Sequence, residues 1–150
     1  MSPVDGRVLL PGEVPDQVFA QELLGPGAAV DPGSSGPGTV LAPISGTVVS
    51  LHPHAFVVQG EGLAVLVHAG IDTVTCKGEG FTTLVTAGEE VSGGDPVLTW
   101  MPADVTARGL STVCPVVVLE GQAEEVGVLT GAGGVVRAGE PLLRVVPGGV

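Results

Sequence analysis

The chain has 150 residues, 44% of them hydrophobic, and a net charge of −11 with only five lysine and arginine residues. Its length suits one domain with a single core, and its shortage of cations disfavours binding to nucleic acid or to anionic membrane surfaces. No signal peptide, membrane-spanning stretch or disulfide framework is visible in the sequence. We therefore predict a single cytoplasmic domain over residues 1–150, with its core over about residues 8–146, and no insertion into the membrane.

Short strands dominate the predicted secondary structure, because a valine-rich chain with 25 glycines and 13 prolines favours strands joined by tight turns. Residues 8–10 predict a strand, residues 15–24 a weakly helical segment, and residues 32–38 a surface loop. The later strands are predicted at residues 47–51, 56–59, 64–68, 81–85, 96–101, 113–119 and 142–146. One or two helical turns are predicted at residues 103–108.

An internal repeat supports the same fold class. The segment GEEVSGGDPVL at residues 88–98 matches GGVVRAGEPLL at residues 133–143 in its glycines, valine, acid, proline and leucine. Each copy predicts a strand, a glycine turn and a second strand entered through proline. We therefore predict an all-β, compact antiparallel β-sandwich or flattened barrel with duplicated strand–turn–strand motifs and short helical turns only. Lipoyl and biotinyl carrier modules share this rhythm, but the single lysine, Lys77, lies in an unsuitable CKG context.

The three histidines of the chain, His52, His54 and His68, lie within 17 positions. If the strands at residues 56–59 and 64–67 pair as a hairpin, His54 and His68 become neighbours at the same end of that hairpin. Two adjacent imidazoles can be inert packing partners, ligate a metal or share a phosphoryl group. In the last case one neutral ring attacks phosphorus, and the other donates an N–H to the phosphoryl oxygens.

Asp72 follows His68 by four residues and is expected near the pair. Its carboxylate could tune the charge of the two rings or help to orient cations of a partner. Direct contact with a bound phosphoryl group is disfavoured, because the two negative groups repel each other.

The sequence resembles the glucose-type IIA components of the bacterial phosphoenolpyruvate-dependent sugar phosphotransferase system. Residues 67–74, VHAGIDTV, followed by KGEGF at residues 77–81, look like the signature around the phosphorylated histidine of that family. Further blocks occur in the same order as in the family and extend the resemblance over essentially residues 8–146. They are VPDQVF at residues 14–19, GAAVD at 27–31, APISGT at 42–47, HAF at 54–56, GDP at 94–96 and STVCPV at 111–116.

The resemblance implies that His68 is the phosphoryl acceptor and that His54 is the second histidine of the active site. It implies a phosphoryl donor, the phosphohistidine of HPr, and an acceptor, a cysteine of a IIB domain that phosphorylates sugar entering through IIC. Many members have threonine where this chain has His52. The ring of His52 can hydrogen-bond His54 or face solvent. Apolar residues near the pair are expected to form the surface on which the partners dock: Phe56, Val67, Ala69 and Ile71.

Two other classes of function remain open on the residues alone. A zinc-dependent hydrolase could use the histidine cluster, although no histidine lies upstream of His52 to complete the expected ligand set. A purely regulatory binding module could switch partners on phosphorylation. No cofactor is expected, and zinc at His54 and His68 would be adventitious or shared with a partner's carboxylate. The transported sugar, glucose, N-acetylglucosamine or a related one, is set by the membrane partners.

Overall fold

The computed structural model describes residues 1–33, 36–121, 126–129 and 131–145 of the chain. Within these ranges antiparallel strands form three sheets, of eight, three and two strands. The strands are β1 (Gly6–Leu9), β2 (Gly27–Asp31), β3 (Gly38–Leu41), β4 (Gly46–His52), β5 (Ala55–Gln59), β6 (Ala64–His68), β7 (Phe81–Thr83), β8 (Glu90–Val91), β9 (Pro96–Trp100), β10 (Cys114–Val118), β11 (Val126–Val128), β12 (Val135–Val136) and β13 (Leu143–Val145).

The helical elements in the described ranges are all short, which confirms the predicted all-β class. Two are α-helices, α1 (Gln17–Ala20) and α2 (Pro102–Ala107), and two are 3-10 turns, at Pro11–Glu13 and Thr73–Cys76. None of the helices described is both long and apolar enough to cross a membrane.

The large sheet has the strand order β12-β1-β2-β10-β6-β5-β4-β8. Its two ends are different strands, so the sheet is open and the predicted flattened barrel does not form. The order reads symmetrically outward from the β10–β6 pair: β2 corresponds to β5, β1 to β4 and β12 to β8. The first strands of the two repeat copies, β8 and β12, therefore lie at opposite edges of the large sheet.

The two copies of the repeat have the same turn, down to its hydrogen bonds. The carboxylate of Asp95 accepts from the backbone amide of Ser92 at 2.8 Å, and that of Glu140 accepts from the amide of Arg137 at 2.7 Å. The glycine before each acid has a positive φ, +93° in one copy and +89° in the other, which glycine adopts without steric cost. Each turn leads from a short edge strand of the large sheet into the next strand.

One apolar core lies between the eight-stranded and three-stranded sheets. Strand β5 shows how the sequence builds it, because Phe56 and Val58 are buried in the core while Val57 between them is only half-buried on the other face. The three-stranded sheet closes the core from the opposite side with Trp100 and Leu98. Small aliphatic side chains fill most of the remaining volume, as the scarcity of aromatic residues predicts.

Several predicted boundaries differ from the observed ones. The helical segment predicted over residues 15–24 contains only the four residues of α1, which begins where Asp16 caps the amides of Val18 and Phe19. Strand β2 was not predicted, because its sequence GAAVD is buried on both faces and shows no alternation. Residues 34 and 35 of the predicted loop, and residue 146 of the last predicted strand, lie outside the described residues.

Candidate functional site

Two adjoining hairpins position the histidines. His52 ends β4 and pairs with Ala55, so Pro53 and His54 form the two-residue turn between β4 and β5. Ala55 in turn pairs with His68 at the end of β6. The backbone amide of Ala69 donates to the carbonyl oxygen of His54 at 2.7 Å. The predicted hairpin is therefore present, and it places His54 beside His68.

The rings of His54 and His68 meet edge to face. Their centroids are 4.9 Å apart with an interplanar angle of 68°. On another side, Phe19 of α1 contacts the His68 ring edge to face at a centroid distance of 5.6 Å. His68 is thus held between an apolar ring and a second imidazole, and its side chain has little freedom to reorient.

A backbone carbonyl fixes the proton of His68. Nδ1 of His68 lies 2.7 Å from the carbonyl oxygen of Gly70. Because a carbonyl oxygen only accepts hydrogen bonds, Nδ1 carries the proton and donates it in this contact. Nε2 of His68 is then the nitrogen with a free lone pair, which is the arrangement that a nucleophilic imidazole needs.

Both rings are neutral at neutral pH. Burial lowers the pKa of His54 to about 4, and electrostatic repulsion from His68 and then His52 adds to this effect. Burial also lowers the pKa of His68, while its bond to Gly70 and the carboxylates of Asp16 and Asp72 act in the opposite direction. A neutral His68 can attack, and a neutral His54 can still donate one N–H.

The predicted docking residues occupy a different place from the one expected. All four have side chains only 0–3% exposed: Phe56, Val67, Ala69 and Ile71. Their expected exposure is wrong for a simple geometric reason. Phe56 and Val67 pair with each other and are the strand neighbours of Ala55 and His68, so they point to the opposite, core side. Ala69 packs in the same core, and Ile71 packs in a second apolar cluster with Val14, Ala29 and Val113. These side chains are buried in the interior of the protein and support the site by packing.

Other apolar side chains close to the site in sequence are exposed. Val18 lies next to Phe19 and is 40% exposed, and Val74 follows Asp72 and is 61% exposed. Asp72 is itself exposed, so an acid and an apolar side chain stand together after His68.

Two further residues of the site were not singled out from the sequence. Asp16 and Phe19 lie in the block VPDQVF, and Asp16 both caps α1 and acts electrostatically on His68. An aspartate three positions before an aromatic residue is a typical start of a helix. This pattern predicts that Asp16 caps a helix, but it does not predict that the helix lies beside His68. Its proximity to His68 arises only when the segment before β2 folds over the sheet.

The described residues include no cluster of three or more histidine, cysteine, aspartate or glutamate side chains able to hold a metal ion. The three histidines do not converge on a common point, as a catalytic zinc site requires. The geometry instead suits nucleophilic phosphoryl transfer, with one oriented neutral imidazole and a second ring beside it.

Comparison with known proteins identifies the family. Residues 1–124 match the family described as phosphoenolpyruvate-dependent sugar phosphotransferase system, EIIA 1. The chain belongs to this family, as the sequence predicted, and is a phosphoryl-carrying component of the sugar phosphotransferase system. The comparisons give no support to a zinc hydrolase or a purely regulatory module.

Relatives include both separate and fused proteins. The chain is 37% identical over 121 residues to the glucose-specific EIIA component of Oceanobacillus iheyensis, covering 79% of this chain and 72% of that protein. It is 42% identical over 125 residues to the glucose-specific EIICBA component of Streptococcus pneumoniae, and 39% identical over 121 residues to the mannose-specific EIIBCA component of Corynebacterium glutamicum. These matches cover 81% and 79% of this chain, respectively, but only 17% of the length of either fused protein.

The fold matches a solved structure of the same kind. Glucose permease IIA from Mycoplasma capricolum superimposes with a TM-score of 0.84 at 32% sequence identity. The match covers 95% of this chain and 91% of that one. The sandwich architecture is therefore shared over nearly the whole length of both chains.

Proposed function

We propose that, in the cytoplasm, His68 accepts a phosphoryl group from the phosphohistidine of HPr and passes it to a cysteine of a IIB domain. The observation that supports this role best is the contact between His68 and Gly70. It leaves Nε2 of His68 with the lone pair that a phosphoryl acceptor needs.

The first step forms a bond between Nε2 of His68 and phosphorus, while the bond from phosphorus to the donor imidazole breaks and its electrons return to that ring. The His68 ring gains positive character as its lone pair is used. The Gly70 carbonyl, 2.7 Å from Nδ1, stabilises that charge through a strengthened hydrogen bond. In the second step a thiolate of the IIB domain attacks phosphorus, and the electrons of the N–P bond return to Nε2.

His54 assists both steps in this proposal. Its neutral ring lies 4.9 Å from that of His68, close enough for one N–H to reach an oxygen of the phosphoryl group. Such a donor offsets the negative charge of the group as it is transferred. Because the pKa of His54 is lowered to about 4, the ring is neutral and keeps one proton. It therefore does not compete with the cationic groups of the partners for the phosphoryl group.

The partners dock on the exposed side chains around the pair. Val18 and Val74 supply apolar contact, and the carboxylates of Asp16 and Asp72 attract basic groups on HPr and on the IIB domain. The sugar does not enter this site. Relatives named for glucose and for mannose are similarly close to this chain, so we assign the choice of sugar, glucose or a related one, to the membrane components.

The position of the phosphoryl group tests the proposal. The chain is labelled with ¹⁵N in its histidine rings, phosphorylated by phospho-HPr and examined by NMR for coupling between ³¹P and ring nitrogen. We expect coupling to Nε2 of His68. Coupling to Nδ1 of that ring, or to a nitrogen of His54, would contradict the proposed role.

A further inference from the structure

We propose that His52 is a third functional residue of the site, whose imidazolium form supplies positive charge that stabilises the phosphoryl group on His68. This inference rests on the proposed function, since it takes phosphorylated His68 as the loaded state. It adds a residue that acts through space by its charge, lies beyond the ring of His54 and does not itself touch phosphorus.

The strand register places His52 on the same face as His68. His52 pairs with Ala55 across β4 and β5, and Ala55 pairs with His68 across β5 and β6. Side chains directly opposite each other in an antiparallel sheet point to the same side. The two histidines therefore flank Ala55 on one face, with Cα atoms about 10 Å apart, twice the spacing of neighbouring strands.

The ring of His54 lies next to both of the others. Its centroid is 4.9 Å from that of His68 and 5.8 Å from that of His52, and it is tilted 34° to the His52 ring. The three imidazoles thus form a row in the order His52, His54, His68. The β4–β5 turn and the strand register, rather than a long loop, hold this row together.

The charges around the row show why an added cation matters. Within the described chain, the charged groups that act on His68 are the carboxylates of Asp16 and Asp72 and the ring of His52. A phosphoryl group brings about two more negative charges into this acidic surrounding. Since the inner rings are neutral, His52 is the outer basic group that acts on both of them.

Lys77 is the basic residue on the neighbouring loop. Gly78 of this loop lies against Pro53 of the β4–β5 turn, and Lys77 is exposed. Among the described residues, the charges acting on His54 and His68 do not include that of Lys77. Lys77 therefore offers a matched control for the removal of a nearby positive charge.

The direction of the pH effect follows from this arrangement. An imidazolium ring at His52 carries the stabilising charge, and a neutral imidazole does not. Loading of His68 should therefore be favoured at low pH and should decline as the pH rises. By reciprocity, phosphorylation of His68 must favour the imidazolium form of His52 to the same extent.

The exchange equilibrium between phospho-HPr and this chain is measured from pH 5.5 to 8.5 for the wild type and for His52→Gln, His52→Arg and Lys77→Gln. The equilibrium constant of each variant is divided by that of the wild type at the same pH, which cancels the pH dependence of HPr itself. We expect His52→Gln to load about threefold less than the wild type at pH 5.5 and equally at pH 8.5. His52→Arg should load better than the wild type at pH 8.5, and Lys77→Gln should follow the wild type throughout. A His52→Gln profile that superimposes on the wild type would overturn the inference.

A second measurement separates this inference from the proposed function. The ring nitrogen chemical shifts of His52, which differ between imidazole and imidazolium, are compared by NMR in the free and phosphorylated wild-type protein at the same pH, and we expect phosphorylation to move them towards the imidazolium values. If phospho-His68 forms while the ring nitrogen shifts of His52 do not change, the role of His52 is wrong and the proposed function stands. If the phosphoryl group is found on another residue, both are wrong.

Discussion

Nδ1 of His68 lies 2.7 Å from the carbonyl oxygen of Gly70, two residues further along the chain. This contact requires the chain to turn sharply after β6, and Gly70 has a φ of +82°. The space beside its Cα is filled as well. A Cβ there would lie 2.6 Å from Cγ2 of Thr73 and 3.0 Å from the carbonyl oxygen of Ser111. The orientation of the nucleophile thus depends on a position that suits only glycine.

Gly70→Ala should therefore reduce both stability and phosphoryl acceptance. We expect a loss of about 2–4 kcal/mol in the free energy of unfolding, from backbone strain together with overpacking. Gly88→Ala is the matched control, because Gly88 has a φ of +90° but nothing within 4 Å of the added Cβ. Its cost should be about 1–2 kcal/mol, with acceptance unchanged. Denaturant unfolding of both variants checks this, and equal losses would show that the contacts around Gly70 do not matter.

Stability should depend on pH through His54. Its pKa is lowered from 6.5 to about 4 in the folded protein, so the unfolded chain binds more protons between these values. Stability must then fall as the pH falls from 6.5 towards 4. His54→Gln removes this titration, and its thermal midpoint should decline less than that of the wild type over the same range. Lys77→Gln, which leaves His54 in place, should keep the wild-type slope, and identical slopes for all three proteins would contradict the shifted pKa of His54.

Much of the site could be predicted from the sequence because its parts are local. His54 and His68 flank two short apolar runs separated by glycines, and antiparallel pairing of those runs brings the histidines together. The burial of Phe56 and Val67 could also have been derived, since strand neighbours point to opposite faces. Asp16 and Phe19 could not, because only the tertiary fold carries their segment over the sheet. The same holds for β2, whose buried sequence lacks the alternation that marks a half-exposed strand.

His54→Gln should separate the two steps of phosphoryl transfer. His68 keeps its nucleophilic Nε2 in this variant and should still accept a phosphoryl group. Glutamine replaces the ring N–H with a differently placed amide, so transfer to the IIB cysteine should slow by about 100-fold. Rapid-quench kinetics of the phosphorylated variant with a IIB domain measure this rate. Loss of acceptance in His54→Gln, with acceptance retained in His68→Ala, would exchange the roles of His54 and His68.

Core support and docking should respond to different substitutions. Phe56 is only 1% exposed, so Phe56→Ala should cost about 3–5 kcal/mol of stability. Val74 is 61% exposed, so Val74→Ala should change stability by less than about 0.5 kcal/mol. It should instead raise the KM for phospho-HPr, since it removes apolar contact from the docking surface. A Phe56→Ala protein as stable as the wild type would contradict the role of Phe56 in the core, and an unchanged KM in Val74→Ala would contradict the role of Val74 in docking.

The most direct test of the central claim is the reaction of the purified chain with phosphorylated HPr, followed by intact mass measurement before and after mild acid treatment. The wild type should gain the mass of one phosphoryl group and lose it in acid, because a phosphorus–nitrogen bond is acid-labile. His68→Ala should gain nothing, while His52→Gln and His54→Gln should both still be phosphorylated. Normal phosphorylation of His68→Ala, or an acid-stable product in the wild type, would contradict the account.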